Sequence, residues 1–307
     1  MDELSQEILR SWQVRKTKAQ KSAFIEMMQS RLPGLRVEEG GFPRCRNLVL
    51  GDVETAEVVF TAHYDTSARL PFPNFITPKN LLIYLAYSIL ISLPFLVLMF
   101  ALAALLTPRL GLAGFLLGML GGFGAMLYVF LLGPANPHTV NDNSSGVLTL
   151  VEAIRAMSEE ERAKCAFVFF DHEENGLLGS GWFASKHKKQ MKNKLLVNFD
   201  CVSDGDDFLF VQSRKARKEY GEALQAAFPP EEGKTLHFES TLSAFYPSDQ
   251  MNFPVSVGVA ALRKKPLLGL YMGRIHTPKD TELQEENLRY FTLGAKRLAA
   301  GSKRSAS

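Results

Sequence analysis

The sequence predicts an α/β fold, a mixed sheet flanked by helices and interrupted by a transmembrane α-hairpin. Three observations predict it. Short β-rich apolar runs, Val58-Val-Phe-Thr-Ala62, Ala166-Phe-Val-Phe-Phe170 and Leu195-Leu-Val-Asn-Phe199, read as buried strands. Each run gives way to a turn that carries histidine or carboxylate side chains, and open α/β sheets build their sites beyond the carboxyl ends of their strands. Between the first and second runs, residues 81–106 and 110–132 contain no charged residue.

Taken in order, the first thirty residues are charged and helical in character. Leu4, Ile8, Leu9 and Trp12, then Phe24, Ile25 and Met28, form the apolar stripe of helices packing on a core. This stretch lacks the apolar centre and small-residue cleavage site of a secretory signal. The 307 residues suffice for one large domain plus an insertion. A net charge of +3 is too mild to imply a nucleic-acid partner. Cys45, Cys165 and Cys201 show no paired spacing and read as buried structural thiols, which suits a reducing compartment.

Each charge-free stretch passes the roughly 20 residues a helix needs to cross a bilayer. Thr107-Pro108-Arg109 reads as the turn between them. Pro94 falls mid-span, where membrane helices tolerate it. Gly114, Gly118 and Gly122 recur every four residues, a spacing that lets helix backbones approach, within the hairpin first and across a homodimer second. The expected organisation is one discontinuous domain, residues 1–79 and 134–307, with residues 80–133 inserted as the hairpin. Both ends of the hairpin return to one side of the membrane. With no signal segment to send residues 1–79 across, that side is expected to be the cytoplasm, and the lipid bilayer is an expected partner. Arg69 and Lys79 inside against Arg109 outside add little to that assignment. The hairpin starts about fifteen residues after Asp65 and ends about ten before Asp142, short connections at roughly 3.3 Å per residue. The site is therefore expected on the face nearest the bilayer. The sequon at Asn143-Ser-Ser145 reads as chance in that setting.

Three strings carry the chemistry: His63-Tyr-Asp65-Thr, Asp142-Asn-Ser-Ser-Gly146 and Glu173-Glu174-Asn-Gly-Leu-Leu-Gly-Ser180. Asp200 follows the third strand, and Arg274-Ile-His276-Thr-Pro-Lys-Asp280 adds a second histidine. Two histidines and several carboxylates suit zinc with N and O ligands.

In order and in wording these strings resemble the M28 family of zinc peptidases, mostly co-catalytic di-zinc aminopeptidases with some carboxypeptidases. The resemblance covers roughly residues 45–70 and 135–300. It implies a zinc exopeptidase-like (phosphorylase/hydrolase-like) fold, two Zn²⁺ per chain and a peptide substrate. His63 and Asp200 would bind one zinc, Glu174 and His276 the other, and Asp142 would bridge them. The Asp142-Asn143 bond becomes a candidate cis peptide. Asp65 would accept a hydrogen bond from the His63 ring, fixing its tautomer, and Glu173 would be the general base. Gln250 stands where the family segment Ser-Asp-His often has histidine, which touches pocket shape rather than hydrolysis. Tyr246 is either an oxyanion donor or a packing residue. Asp171, His172 and His138 carry no assigned role.

Two other functions remain in play. A glutaminyl-cyclase-like acyltransferase shares a similar scaffold, but Glu174 here runs into the peptidase-like Asn-Gly-Leu-Leu-Gly-Ser180. A non-catalytic M28-like module would have lost a ligand or the base, and none is missing.

Overall fold

The structure, a computed structural model, describes residues 1–301. Among these residues nine strands form one mixed sheet: β1 (Arg36–Gly40), β2 (Cys45–Leu50), β3 (Val58–His63), β4 (Cys165–Phe170), β5 (Leu195–Phe199), β6 (Asp207–Gln212), β7 (Thr235–Ser240), β8 (Ser256–Lys265) and β9 (Gly269–Tyr271). Their order is β1-β2-β4-β3-β5-β8-β6-β7, with β9 paired to β8. The three runs picked out in the sequence are the adjacent strands β4, β3 and β5, and all run parallel. The antiparallel neighbours β2 and β6 make the sheet mixed.

Alternation along the strands sends side chains to two covered faces. Val58, Phe60, Phe167, Phe169, Val197 and Phe199 pack on one side. There they meet helices Glu3–Ser11, Lys18–Arg31, Ser145–Ala156, Arg214–Ala227 and Glu285–Gly301. Val59, Val168, Phe170 and Leu196 pack on the other side with Phe183 of helix Leu178–Lys186. The N-terminal stripe behaves as its spacing implies: Leu4, Ile8, Phe24, Ile25 and Met28 lie in the first core, with Leu9 and Trp12 against it. Asp2 and Thr17 cap these two helices, accepting from Ser5 N–H and Gln20 N–H. All three cysteines are buried and unpaired.

Strands from both sides of the apolar insertion share this sheet. The insertion leaves it as a helix at Leu81 and returns through a π-helical turn, Tyr128–Leu132. The chain does not reverse at Thr107-Pro108-Arg109 as the sequence suggests. Helix continues there, with the Thr107 hydroxyl donating to Ala103 O at 2.6 Å. The reversal comes at Gly111, with φ 56° and ψ −138°, a conformation open to glycine. Gly114, Gly118 and Gly122 then face Leu106, Ala103 and Met99 so closely that a Cβ at any of them would overlap the opposite backbone. The stripe is consumed inside the hairpin, which leaves no surface on it for a second chain. Only 6% of the most apolar window is buried, so the hairpin is no core helix pair.

Its feet rest on one side of the sheet domain. Tyr87 and Tyr84 pack on Phe75 and Phe245, and Phe130 on Phe72. Arg69 N–H donates to Pro134 O at 2.8 Å, tying the outgoing and returning chains together.

Candidate metal centre

His63 ends β3, Glu173 and Glu174 follow β4, and Asp200 follows β5, so three parallel strands deliver four side chains to one edge. Asp142 reaches the same edge from the segment Val140–Ser144 that leads into helix Ser145–Ala156. His276 comes from the loop after β9, at φ 60°. All six side chains converge.

Asp142 lies at the centre. Its Oδ1 is 3.2 Å from His63 Nε2 and its Oδ2 is 2.9 Å from His276 Nε2. Asp200 Oδ1 lies 3.4 Å from His63 Nε2, and Glu174 Oε2 lies 3.2 Å from His276 Nε2. The cluster thus divides into two halves that share one carboxylate. Ligand atoms of His63, Asp142 and Glu174, and those of His63, Glu173 and Asp200, fall within 4.8 Å of one another. Glu173 Oε2 is 3.9 Å from His63 Nε2. The Asp142–Asn143 peptide is cis, as the resemblance to the M28 family implies. Asn143 is wholly buried and bonded to Phe199 O, Gly146 N–H and Cys201 N–H, which removes the sequon from use.

Asp65 departs from expectation. Its Oδ1 is 3.6 Å from His63 Nδ1, too far for a hydrogen bond, and among the described residues Nδ1 has no other partner. Its carboxylate instead accepts the backbone N–H of Glu173 at 3.0 Å and of Glu174 at 3.3 Å. Asp65 therefore shapes the loop that carries both glutamates. Tyr246 and Gln250 lie beneath the site. The Tyr246 hydroxyl donates to Asp200 O at 3.0 Å, and Gln250 Nε2 donates to Tyr246 O at 2.7 Å. That geometry makes Tyr246 a support for the Asp200 turn.

Several residues here escaped the sequence reading. Arg15, fully buried, donates to Tyr64 O and Trp12 O and lies 3.2 Å from Ser144 Oγ, clamping the segments that carry His63 and Asp142. Its only sequence signal is a charge between two apolar-striped helices. Asp280 accepts Asn141 N–H at 2.8 Å and Asp142 N–H at 3.0 Å, holding the central carboxylate from behind. The Cys201 thiol donates to Asp200 Oδ1 at 3.2 Å. Asp249 is also buried close by. Asp171 and His172 form a separate group with Lys21, whose Nζ is 2.6 Å from Asp171 Oδ1. His138 is exposed on the returning loop.

The electrostatics are those of too many carboxylates in too little water. Burial would keep His63 neutral, but Glu173, Asp142, Asp200 and Asp65 lift its pKa well above the ordinary value. His276 is lifted the same way by Glu174 and Asp142, against its burial. Burial alone would raise Asp142, yet the two histidines hold it below the usual carboxylate range. Glu173 is pushed well up by burial and by its acidic neighbours, despite His63. Burial carries Asp249 up to about 7 and Asp280 to about 8. Burial also lowers the Arg15 guanidinium to about 10, against the pull of Asp65 and Asp142. Two imidazoles and four carboxylates around one point, with a buried Glu174 oxygen left without a partner among the described residues, form a donor set that fits zinc.

Residues 128–294 match the model of Peptidase family M28. No curated protein matches the chain by sequence. Among solved structures it superposes on the LapA aminopeptidase of Legionella pneumophila with a TM-score of 0.56 at 14% identity, covering 97% of this chain and 67% of that one. For a Zn-dependent exopeptidase from Parabacteroides distasonis the values are 0.54, 12%, 97% and 95%. For the glutaminyl cyclase of Porphyromonas gingivalis they are 0.52, 12%, 96% and 94%. At such identities the likeness is one of fold.

Proposed function

Because this chain belongs to peptidase family M28, we propose that it is a zinc metallopeptidase held at a membrane, an aminopeptidase trimming peptides near the bilayer. The observation that carries the reading is the split of Asp142, one oxygen toward His63 and the other toward His276. Zinc would be held by His63 and Asp200 on one side and by Glu174 and His276 on the other, with Asp142 between. Bound there, zinc supplies Lewis acidity toward water and a peptide carbonyl. Glu173 takes the proton of the attacking water and returns it to the leaving amine. Its place at the mouth, 12% exposed, lets it reach both. Asp65 holds the Glu173-Glu174 backbone, and Arg15 and Asp280 fix the two segments that meet at Asp142.

The hairpin is read as the anchor: it is apolar, outward-facing and long enough to span. With both feet on the sheet domain, residues 1–79 and 134–307 form one discontinuous unit on the cytoplasmic side. An Arg109→Cys variant should react with an impermeant thiol reagent only from the outer face, and reaction from the cytoplasmic face contradicts the orientation.

The test of the chemistry is Glu173→Gln. Because the base acts on the transition state, kcat should fall about 10²–10⁴-fold with zinc content unchanged. An active Glu173→Gln enzyme removes the assignment. A peptide library read by mass spectrometry shows which end is trimmed. The fold shared with a glutaminyl cyclase favours a second reading. It requires cyclisation of an N-terminal glutamine and one zinc per chain instead of two.

A further inference from the structure

We propose that the cleft at the foot of the hairpin binds the phosphate headgroup of an anionic phospholipid. The inference rests on reading the hairpin as a membrane span. The cleft has a volume of about 490 Å³ and lies between the strap that precedes the hairpin, with Phe72 and Phe75, and a wall bearing Arg263, Lys265, Arg274 and Lys279. Among the described residues no carboxylate lines it. Arg263 is held by Asp204 at 2.6 Å and Arg274 by Glu282 at 2.8 Å, which fixes their heads and offsets part of their charge. Lys265 lies over the Tyr271 ring, 5.4 Å from its centroid. Among the described residues neither Lys265 nor Lys279 has a carboxylate partner, so two positive charges are uncompensated.

Position makes the anion a lipid. The strap packs on the hairpin itself: Phe72 meets Phe130 at 5.9 Å, Phe75 meets Tyr87 edge-on at 5.2 Å, and the Tyr87 hydroxyl donates to Pro73 O. Phe75 also faces Tyr271 at 6.3 Å, so one set of rings joins the cleft wall to the hairpin. Tyrosines such as Tyr87 and Tyr271 in this set are enriched at the membrane–water boundary. Two turns beside the same foot point leucines into solvent, Leu242 at 98% and Leu267 at 93% exposure. Both are tied to the hairpin entry: Phe245 N–H donates to Pro78 O at 2.8 Å, and Asn80 Nδ2 donates to Leu267 O at 3.4 Å. Apolar tips that enter the lipid surface and a basic cleft behind them are the complement of an acyl chain and an anionic headgroup. A peptide carboxylate is the competing occupant, because Arg274 and Thr277 flank His276.

The full chain is reconstituted in nanodiscs containing phosphatidylcholine and limiting phosphatidylglycerol, as wild type and as the double variant Lys265→Gln/Lys279→Gln. Native mass spectrometry then reads which lipid each released chain retains. Wild type should retain phosphatidylglycerol about tenfold over phosphatidylcholine, and the double variant should lose that preference at equal zinc content. Equal retention by inserted wild type, or an undiminished preference in the variant, overturns the lipid site alone. Loss of the preference in millimolar inorganic phosphate means a free-anion site and also overturns it. So does a variant that raises KM for peptides in lipid-free detergent while keeping the lipid preference. A chain that enters no nanodisc overturns the span and the lipid site together.

Discussion

At the carboxyl edge of the sheet, His63, Asp142 and Asp200 are 1%, 3% and 6% exposed. In the hairpin, Leu82, Ile89, Leu112 and Leu120 are 78%, 65%, 74% and 65% exposed. One region hides ionisable groups and the other displays large apolar ones, the reverse of what water selects in each case. On the proposed function a cation would offset the carboxylates crowded around the imidazoles, and lipid hydrocarbon would cover the exposed leucines of the hairpin. On the same reading the regions fail separately: damage to the site should abolish chemistry and leave membrane association unchanged, and damage to the hairpin should do the reverse.

The largest separation is expected from Asp142→Ala. Losing the shared carboxylate should leave less than about one hundredth of wild-type activity and fewer than two zinc ions per chain, with detergent extraction unchanged. Zinc analysis and a fractionation blot check both halves, and retention of two zinc ions breaks the comparison. Next comes Arg15→Met. The change strips hydrogen bonds from Tyr64 O and Trp12 O, so the sheet domain should lose about 2–5 kcal/mol in denaturant unfolding. Membrane association should not change. Gly118→Leu acts on the other region. Its side chain overlaps Ala103, so the hairpin should open at a cost of about 1–3 kcal/mol. Oxidative crosslinking of a Leu102→Cys/Gly121→Cys pair reports it, and kcat in detergent should stay at the wild-type value.

The smallest effect lies away from both regions. Glu38 Oε2 is 2.8 Å from both Lys186 Nζ and His187 Nε2. Against the upward push of burial, these partners hold its carboxyl down to about 2 from the ordinary 4.5. A depressed folded pKa stabilises fully above 4.5 and loses that contribution as pH falls toward 2. Acid unfolding of Glu38→Gln against wild type should show a difference of about 1 kcal/mol at neutral pH that vanishes over that interval. A difference that persists at pH 2 contradicts the sign.

Legibility followed range. Strands β3, β4 and β5 were readable because a strand buried on both faces is a continuous apolar run. The candidate site residues are legible because each sits at or just past the end of such a run: His63 ends β3, Asp200 directly follows β5, and Glu173-Glu174 closely follow β4. The hairpin showed itself by absence of charge alone. What stayed hidden depends on partners far along the chain. Arg15 meets Ser144 across 129 positions and Asp280 meets Asn141 across 139, and no local pattern announces either. The hold of Asp65 on Glu173 N–H and Glu174 N–H is hidden for the same reason, since it is fixed only when β3 and β4 align. The polar string Thr107-Pro108-Arg109 between two charge-free runs suggests the turn, whereas the reversal waits for Gly111, the residue free to take φ 56°.

The most direct test is anomalous diffraction at the zinc edge from crystals of the full chain purified without chelator. Two zinc positions are expected on either side of Asp142, one within reach of His63 and Asp200 and the other within reach of Glu174 and His276. A folded chain with no zinc at this edge of the sheet, or with a single ion that Asp142 does not share, contradicts the account.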